Sequence, residues 1–312
     1  VTSDLPGVDV IIPTMNRPEL LGRAIAGALD QDYGGPVHVL VVYDGTEPDL
    51  SLERSAEASP GAGARSVTVL SNQRKPGLAG GRNTGIDAAT AELVAFCDDD
   101  DRWLPGKLTA QVAALAAAPD AALVSCGIRI NYGDHSTDRT LGDRRVTLHD
   151  LLADRLTELH PSTFLMRRDV LLGRVGLVEE DLPGSYAEDY ELLLRVAKVA
   201  PVATTAVIGV EVLWGSQSYF DSRWAMIVQA LTWLLDRYPE FATVPVGEAR
   251  IDGQIAFASA AMGARSQGLR WATRALRRNP AEKRAYLAAA VAVGVVSPDR
   301  ITRWLHARGR GI

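Results

Sequence analysis

Asp98, Asp99, Asp100 and Asp101 stand in a row, directly after the apolar run Leu93-Val94-Ala95-Phe96-Cys97. At ~6 Å each neighbouring pair of charges repels by about 0.7 kcal/mol in water and by roughly 3 kcal/mol at an effective dielectric of 20. Either these carboxylates are solvated or something positive meets them. Contiguous acids can present hard oxygen ligands to a divalent cation, Mn2+ or Mg2+. A second acidic pair, Glu188-Asp189, opens a segment carrying Leu192, Leu193 and Val196 at helical spacing. A carboxylate there can accept a proton, or can simply favour a helix N-terminus. Gly77-Leu78-Ala79-Gly80-Gly81-Arg82-Asn83 is a glycine-rich entry to a helix, where backbone N–H groups and Arg82 suit phosphate. Pro13-Thr14-Met15-Asn16-Arg17 and Asp44-Gly45-Thr46 each follow an apolar run. Together these stretches offer acceptors for a base or ribose, donors for phosphate and carboxylates for a cation. That set fits a nucleoside diphosphate with a metal ion. A calcium loop of the EF-hand kind is excluded by spacing, because it spreads its ligands over about 12 residues with a glycine at the sixth.

The elements that must hold these residues are legible as alternating apolar runs and helical periods. Residues 8–12, 37–42, 67–70, 93–97 and 123–130 read as buried strands. Residues 18–29, 79–90 and 104–118 read as helices, with a shorter one at 52–58. Strand and helix in succession imply an α/β domain with a mainly parallel sheet. In such a sheet ligands bind beyond the carboxyl ends of the strands, which is where the polar stretches lie. Residues 131–145 read as a mobile polar loop, followed by a helix at 148–153, strands at 163–166 and 202–207 and a helix from Glu188. Beyond residue 220 almost everything reads helical: 222–237, 248–264, 269–278, 281–295 and 300–307. A domain boundary is expected near 219–221.

The chain has 312 residues, is 47% hydrophobic and 23% charged, and carries a net charge of −5. That is an ordinary globular composition. From Arg265 onward 11 Lys and Arg face 2 Asp and Glu, a balance of +9, which leaves −14 on the remainder. Such a tail is either a set of solvated arginine faces or a separate surface with its own role. Cys97 and Cys126 sit in apolar contexts and read as reduced core residues. The first residues do not read as a signal peptide, and no apolar stretch reaches the ~18 residues of a membrane span. A cytoplasmic protein is expected, with peripheral contact at the inner membrane face through the basic helices as one use of the tail and homodimer formation as another. No nucleic-acid partner is expected.

The runs "VIIPTMNRPELLGRAI", "VLVVYDGT", "GLAGGRNTGIDAA" and "VAFCDDDDRWLPGKL", in that order, resemble the successive motifs of glycosyltransferase family 2 over residues 8–219. The resemblance implies a GT-A fold in residues 1–220, with a nucleotide-sugar-binding half (1–130) and an acceptor-binding half (131–220), and a helical extension over 221–312. It implies inverting transfer of a sugar from a nucleotide-sugar donor, UDP-linked first and dTDP- or GDP-linked otherwise. The acceptor would be a saccharide, a lipid-linked saccharide or a natural product. By the same resemblance Pro13, Thr14, Arg17 and Asp44 hold the base side of the donor, and Gly77 and Arg82 the nucleotide. Asp98 faces the ribose, Asp99 lies between, and Asp100 binds the metal. Asp101 is a structural or helix-capping carboxylate. Asp189 is the general base, with Glu188 beside it, and His160 is a candidate acceptor or diphosphate contact. Trp103 is expected beneath the metal loop.

Three positions depart from the family pattern. Met15 stands where an aromatic often stacks on the base, and Tyr43 replaces an aspartate. "LWGSQSY" lacks the histidine that many relatives carry there. The alternative to an enzyme is a silent sugar-nucleotide-binding or scaffold protein, against which the intact acidic sets speak.

Overall fold

The computed structural model describes residues 5–56, 63–132, 135–213 and 223–306. The chain opens with β1 (Val8–Thr14), α1 (Pro18–Leu29) and β2 (Val37–Tyr43). A single 3-10 turn, Leu50–Leu52, precedes the edge strand β3 (Arg54–Ala56). Then come β4 (Arg65–Ser71), α2 (Leu78–Ala88), β5 (Leu93–Phe96), β6 (Arg102–Trp103) and α3 (Lys107–Ala117). β7 (Leu123–Tyr132), β8 (His135–Arg139), β9 (Arg145–Val146), α4 (Leu148–Ala153), β10 (Leu165–Arg167) and α5 (Arg168–Val170) follow. Next are α6 (Glu188–Val199) and β11 (Val202–Leu213), and last the helices α7 (Trp224–Arg237), α8 (Pro245–Ala261), α9 (Arg265–Arg278), α10 (Lys283–Ala292) and α11 (Pro298–His306).

One mixed sheet runs β3-β4-β2-β1-β5-β10-β7-β11-β6, with β8 added to β7 and β9 to β11. β4, β2, β1 and β5 are parallel neighbours, and β7 is parallel to β11. β10 runs antiparallel between β5 and β7. All seven residues of β1 are buried, as a strand covered on both faces requires. α1 covers the sheet with Leu21, Ala24, Ile25 and Ala28, spaced three and four apart, and Pro18 begins its first turn. The α/β class with a mainly parallel sheet and flanking helices is therefore as the sequence implies.

Several local readings change. No helix runs through residues 53–56: Glu53 ends the 3-10 turn and β3 pairs antiparallel with β4. Edge pairing overrides a weak helical pattern there, and residues 57–62 lie outside the described set. Much of the polar stretch 131–145 is strand, because β8 folds back on β7 and β9 pairs with β11. β8 is exposed along almost its whole length, so it carries no apolar alternation to read. β11 extends to Leu213, with irregular register between Thr204 and Val210.

The chain forms two compact units, Val1–Thr147 with Leu156–Glu180 and Glu188–Leu213, and Leu148–Arg155 with Asp181–Ala187 and Trp214–Ile312. The expected boundary at 219–221, and the segment "LWGSQSY" beyond Leu213, lie outside the described residues. The second unit has its own core, in which Ala256, Phe257 and Ala260 of α8 meet Ala272 and Ala275 of α9 and Ala288 and Val291 of α10. Small side chains let these helices approach closely: a Cβ on Gly268 would lie 3.0 Å from that of Ala260. Trp224 stands edge-on to Phe257 at 5.7 Å.

Candidate active site

The carboxyl ends of the parallel strands gather the polar stretches. β1, β2 and β4 end in register at Thr14, Tyr43 and Ser71. Past these ends, Asp44 N–H donates to the Thr14 carbonyl at 2.9 Å, and Asn72 N–H to that of Tyr43 at 2.7 Å. Cys97, one residue past β5, still donates to Ile11 at 3.0 Å, so the four aspartates begin where the sheet stops.

The four aspartates differ in depth and in the set of partners each meets. Asp98 accepts from Arg82 Nη2 at 2.7 Å, and its own N–H donates to Ser162 Oγ at 2.9 Å. Burial opposes its charge, but Arg82, with His160 and Arg17, holds the carboxyl below its usual range. Asp99 points inward, accepting from the Thr14 hydroxyl at 2.7 Å with Arg17 Nη2 also 2.7 Å away. Burial pushes it up to about 6 despite both contacts. Asp100 points outward and pairs with Arg17 Nη1 at 2.6 Å. Asp101 is buried, accepts from Ser162 Oγ at 2.5 Å and lies 3.2 Å from His160 Nδ1. Burial, then Asp98 and Asp100, raise it well above the carboxylate range. It caps no helix, since β6 follows it directly and α3 begins only at Lys107.

Arg82 connects this loop to the second acidic pair. It lies on α2 with 1% of its surface exposed. Nη1 pairs with Glu188, Nη2 with Asp98, and the guanidinium carbon stands 5.5 Å from the Phe96 ring centroid. Burial opposes its charge, yet Asp98, Glu188 and Asp189 keep it protonated beyond its ordinary range. Burial, with Asp189 nearby, raises Glu188 above its ordinary value even though Arg82 touches it. One guanidinium faces three carboxylates, which is why the charge is not balanced. Glu188 and Asp189 are the first residues of α6, and Ala187 before them has a φ of 67°. A non-glycine residue held in the left-handed region stores strain of order 1–3 kcal/mol.

The glycine-rich turn is used structurally. Gly77 has a φ of 122°, open to glycine alone, and its N–H donates to Asp44 Oδ2 at 2.8 Å. Asn72 Nδ2 donates to the other Asp44 oxygen at 2.7 Å. The carboxylate expected to read the base is thus already oriented by two donors. A Cβ on Gly80 would sit 1.9 Å from the Lys75 carbonyl, so that turn closes only without a side chain. Pro13 is buried beside this turn, whereas Met15 is half-exposed.

Behind the loop, Trp103 is buried, as expected, and its Nε1 donates to the Ser162 carbonyl at 3.0 Å. The Lys107 ammonium lies 3.6 Å from the Trp103 ring centroid and donates to Gln111 Oε1 at 2.8 Å. Burial pushes it down to about 8. Sequence reasoning passed over Ser162 and Lys107. The Lys107/Gln111 pair at four-residue spacing in an apolar helix was the one available signal.

Among the described residues, one group of side chains offers a metal ion three converging donors: Asp98, Asp101 and His160, whose ligand atoms lie within 4.8 Å of one another. Asp100, the expected ligand, is outside that group. His160 accepts from Ser162 N–H at 3.4 Å at the start of a 3-10 turn, Pro161–Thr163.

The model of glycosyl transferase family 2 matches residues 9–173. The chain belongs to this family. It is a nucleotide-sugar glycosyltransferase. A relative from Escherichia coli, UDP-Glc:alpha-D-GlcNAc-diphosphoundecaprenol beta-1,3-glucosyltransferase WfgD, is 25% identical over 198 residues, covering 61% of this chain and 70% of that protein. GalNAc(5)-diNAcBac-PP-undecaprenol beta-1,3-glucosyltransferase from Campylobacter jejuni is 34% identical over 106 residues. That match spans 34% of this chain and only 33% of the relative. Among solved structures, mannosyltransferase PcManGT from Pyrobaculum calidifontis, in complex with GDP-Man and Mn2+, superposes with a TM-score of 0.56 at 20% identity, covering 98% of this chain and 85% of that one. The fold of this family-2 chain is accordingly GT-A-like.

Proposed function

We propose that the protein transfers a hexose from a UDP-sugar to a hydroxyl of a lipid-linked saccharide, by a single displacement that inverts the anomeric carbon. The observation that carries this reading is the buried Arg82, whose guanidinium binds Asp98 of the four-aspartate loop and Glu188 of the acidic pair at once. A donor held at Asp98 would lie near the carboxylate that follows Glu188. Asp189 then accepts the proton of the acceptor hydroxyl while its oxygen bonds to the anomeric carbon. The bond from that carbon to the diphosphate breaks, and the nucleoside diphosphate leaves with the electron pair. A carboxylate suffices because the hydroxyl becomes acidic only as the new bond forms.

The donor set fits a divalent cation, since carboxylate oxygens and an imidazole nitrogen are ligands Mn2+ accepts, and oxygens suit Mg2+. Asp100, on the outer side of the loop, is the proposed ligand. The converging Asp98, Asp101 and His160 are a second holding set. When bound, the ion supplies positive charge against the departing diphosphate. Arg17 can exchange Asp100 for a phosphate, and Thr14 and Asp44 flank the base. The choice of UDP and of a lipid-linked acceptor follows the activity of the Escherichia coli relative. A lipid-linked acceptor would bring the protein to an anionic membrane surface, which the exposed basic side chains of α9 and α11 are proposed to meet.

Titration of UDP-glucose with and without Mn2+, together with turnover on an undecaprenyl-diphosphate-linked saccharide, tests the reading. Asp189→Asn should lower turnover by about 10²–10⁴-fold and leave donor binding intact. Full turnover in that variant would remove Asp189 from the reaction. Loss of Mn2+-dependent affinity in Asp100→Ala but not in His160→Ala would choose the first ligand set, and the reverse the second.

A further inference from the structure

Arg82 occupies a place that a donor-contacting arginine would not need. Its side chain is enclosed in α2, with 1% of the residue exposed, and both terminal nitrogens are committed to carboxylates of this chain. Its Nε is buried without a hydrogen-bond partner, so the fork is aimed by its two ends alone. Asp98 and Glu188 are 90 residues apart in sequence and on different elements, yet this guanidinium joins them. The Phe96 ring on the last position of β5 flanks it. On the other side Asn83, the next residue of α2, binds the loop before α6, donating to Val178 O at 2.8 Å and Glu180 Oε1 at 2.7 Å. α2 therefore grips both the aspartate loop and the approach to α6.

We propose that Arg82 is a positioning residue, a strut that couples the donor-facing carboxylate Asp98 to the Glu188-Asp189 end of α6, and does not itself touch the nucleotide. The proposal rests on the reading of Asp98 as donor-facing and Asp189 as base. It has a consequence for residues that lie outside the donor site. Neutralising Glu188 takes one of two ion-paired carboxylates from the guanidinium and shifts its charge toward Asp98, which tightens that pair and makes Asp98 less available to the ribose. Donor affinity should then fall through a residue that the donor never meets. Such coupling is a free energy shared between two sites, and it must vanish when the connecting group cannot reach both. Lysine keeps a charge at this position but has no fork.

The experiment measures UDP affinity in Mn2+ by calorimetry for the wild type, Glu188→Gln, Arg82→Lys and the double variant, with Asp189→Asn alongside. The expected result is a three- to tenfold weaker affinity in Glu188→Gln, no further effect of that substitution in the Arg82→Lys background, and no change in Asp189→Asn. Equal effects of Glu188→Gln in both backgrounds, or none in either, would overturn the strut. If Arg82→Lys fails to fold, a cycle of Glu188→Gln with Asp98→Asn replaces it. Effects combining to less than their product support the strut, and effects that multiply overturn it. Absence of binding by UDP, dTDP and GDP alike would defeat the donor-site reading, and the strut with it. Binding with independent effects would defeat the strut alone.

Discussion

At the scale of single residues, the four aspartates are separated by depth and share the groups that hold them. Arg17 meets both Asp99, which the sequence left between the ribose and metal carboxylates, and Asp100, the expected metal ligand. Ser162 was invisible, because a lone serine some 60 positions away carries no motif. Its hydroxyl donates to Asp101 and accepts from the Asp98 backbone, so it pins both ends of the cluster. Ser162→Ala would leave a buried N–H and a buried carboxyl without that partner, at a cost of about 1–3 kcal/mol. Its urea midpoint should drop accordingly, and Mn2+-dependent UDP affinity should weaken with it, both read on purified protein. An unchanged midpoint would mean that the loop has other anchors. Arg82 shows the converse limit. Its type and place in "GGRN" were readable, but a sequence does not state that the side chain is enclosed, and enclosure changes what it can touch.

At the scale of elements, the parallel strands and the long helices were legible because burial on two faces, or on one stripe, leaves a periodic trace. The exposed strand β8 and the three-residue β3 left none, and their pairing is decided by neighbours. The pair α8 and α9 shows how charge can be read in number but not in use. Glu248 and Asp252 on α8 face Arg274 and Arg278 on α9, with contacts of 2.7–3.1 Å. Asp252 is fully buried, and its Oδ1 has no hydrogen-bond partner. Burial pushes its carboxyl up to about 6, against the two arginines, while Glu248 adds to the rise. The sign follows from linkage. Below the ordinary value of 3.8 the group is protonated in both states and costs nothing. As pH rises toward about 6 the unfolded chain ionises first, so stability is lost, and above that the loss is constant. Asp252→Asn should remove this slope. Urea midpoints measured from pH 4 to pH 8 should fall through the lower half of that range in the wild type relative to the variant. Parallel curves would show that the ion pairs cancel the effect of burial.

At the scale of the whole molecule, the charge asymmetry of the sequence is partly absorbed. Arg274 and Arg278 spend their charge on α8 carboxylates. Arg265, Arg270, Arg277, Arg300 and Arg303 remain exposed, and Trp304 on α11 keeps 53% of its surface in solvent. Among the described residues no helix is long and apolar enough to cross a membrane. Attachment through this surface would therefore be electrostatic, with Trp304 suited to the headgroup level. Each basic side chain close to an anionic surface contributes about 1 kcal/mol, and added salt screens it. The full chain should accordingly sediment with phosphatidylglycerol vesicles at low ionic strength and release in high salt, while ignoring phosphatidylcholine vesicles. Arg300→Gln with Arg303→Gln should weaken that partition by about thirtyfold, the equivalent of about 2 kcal/mol at one per residue. Soluble-acceptor turnover should stay the same, since neither side chain belongs to the proposed reaction site. Equal binding of the two lipids, or full binding by the double variant, would assign the basic helices to another task.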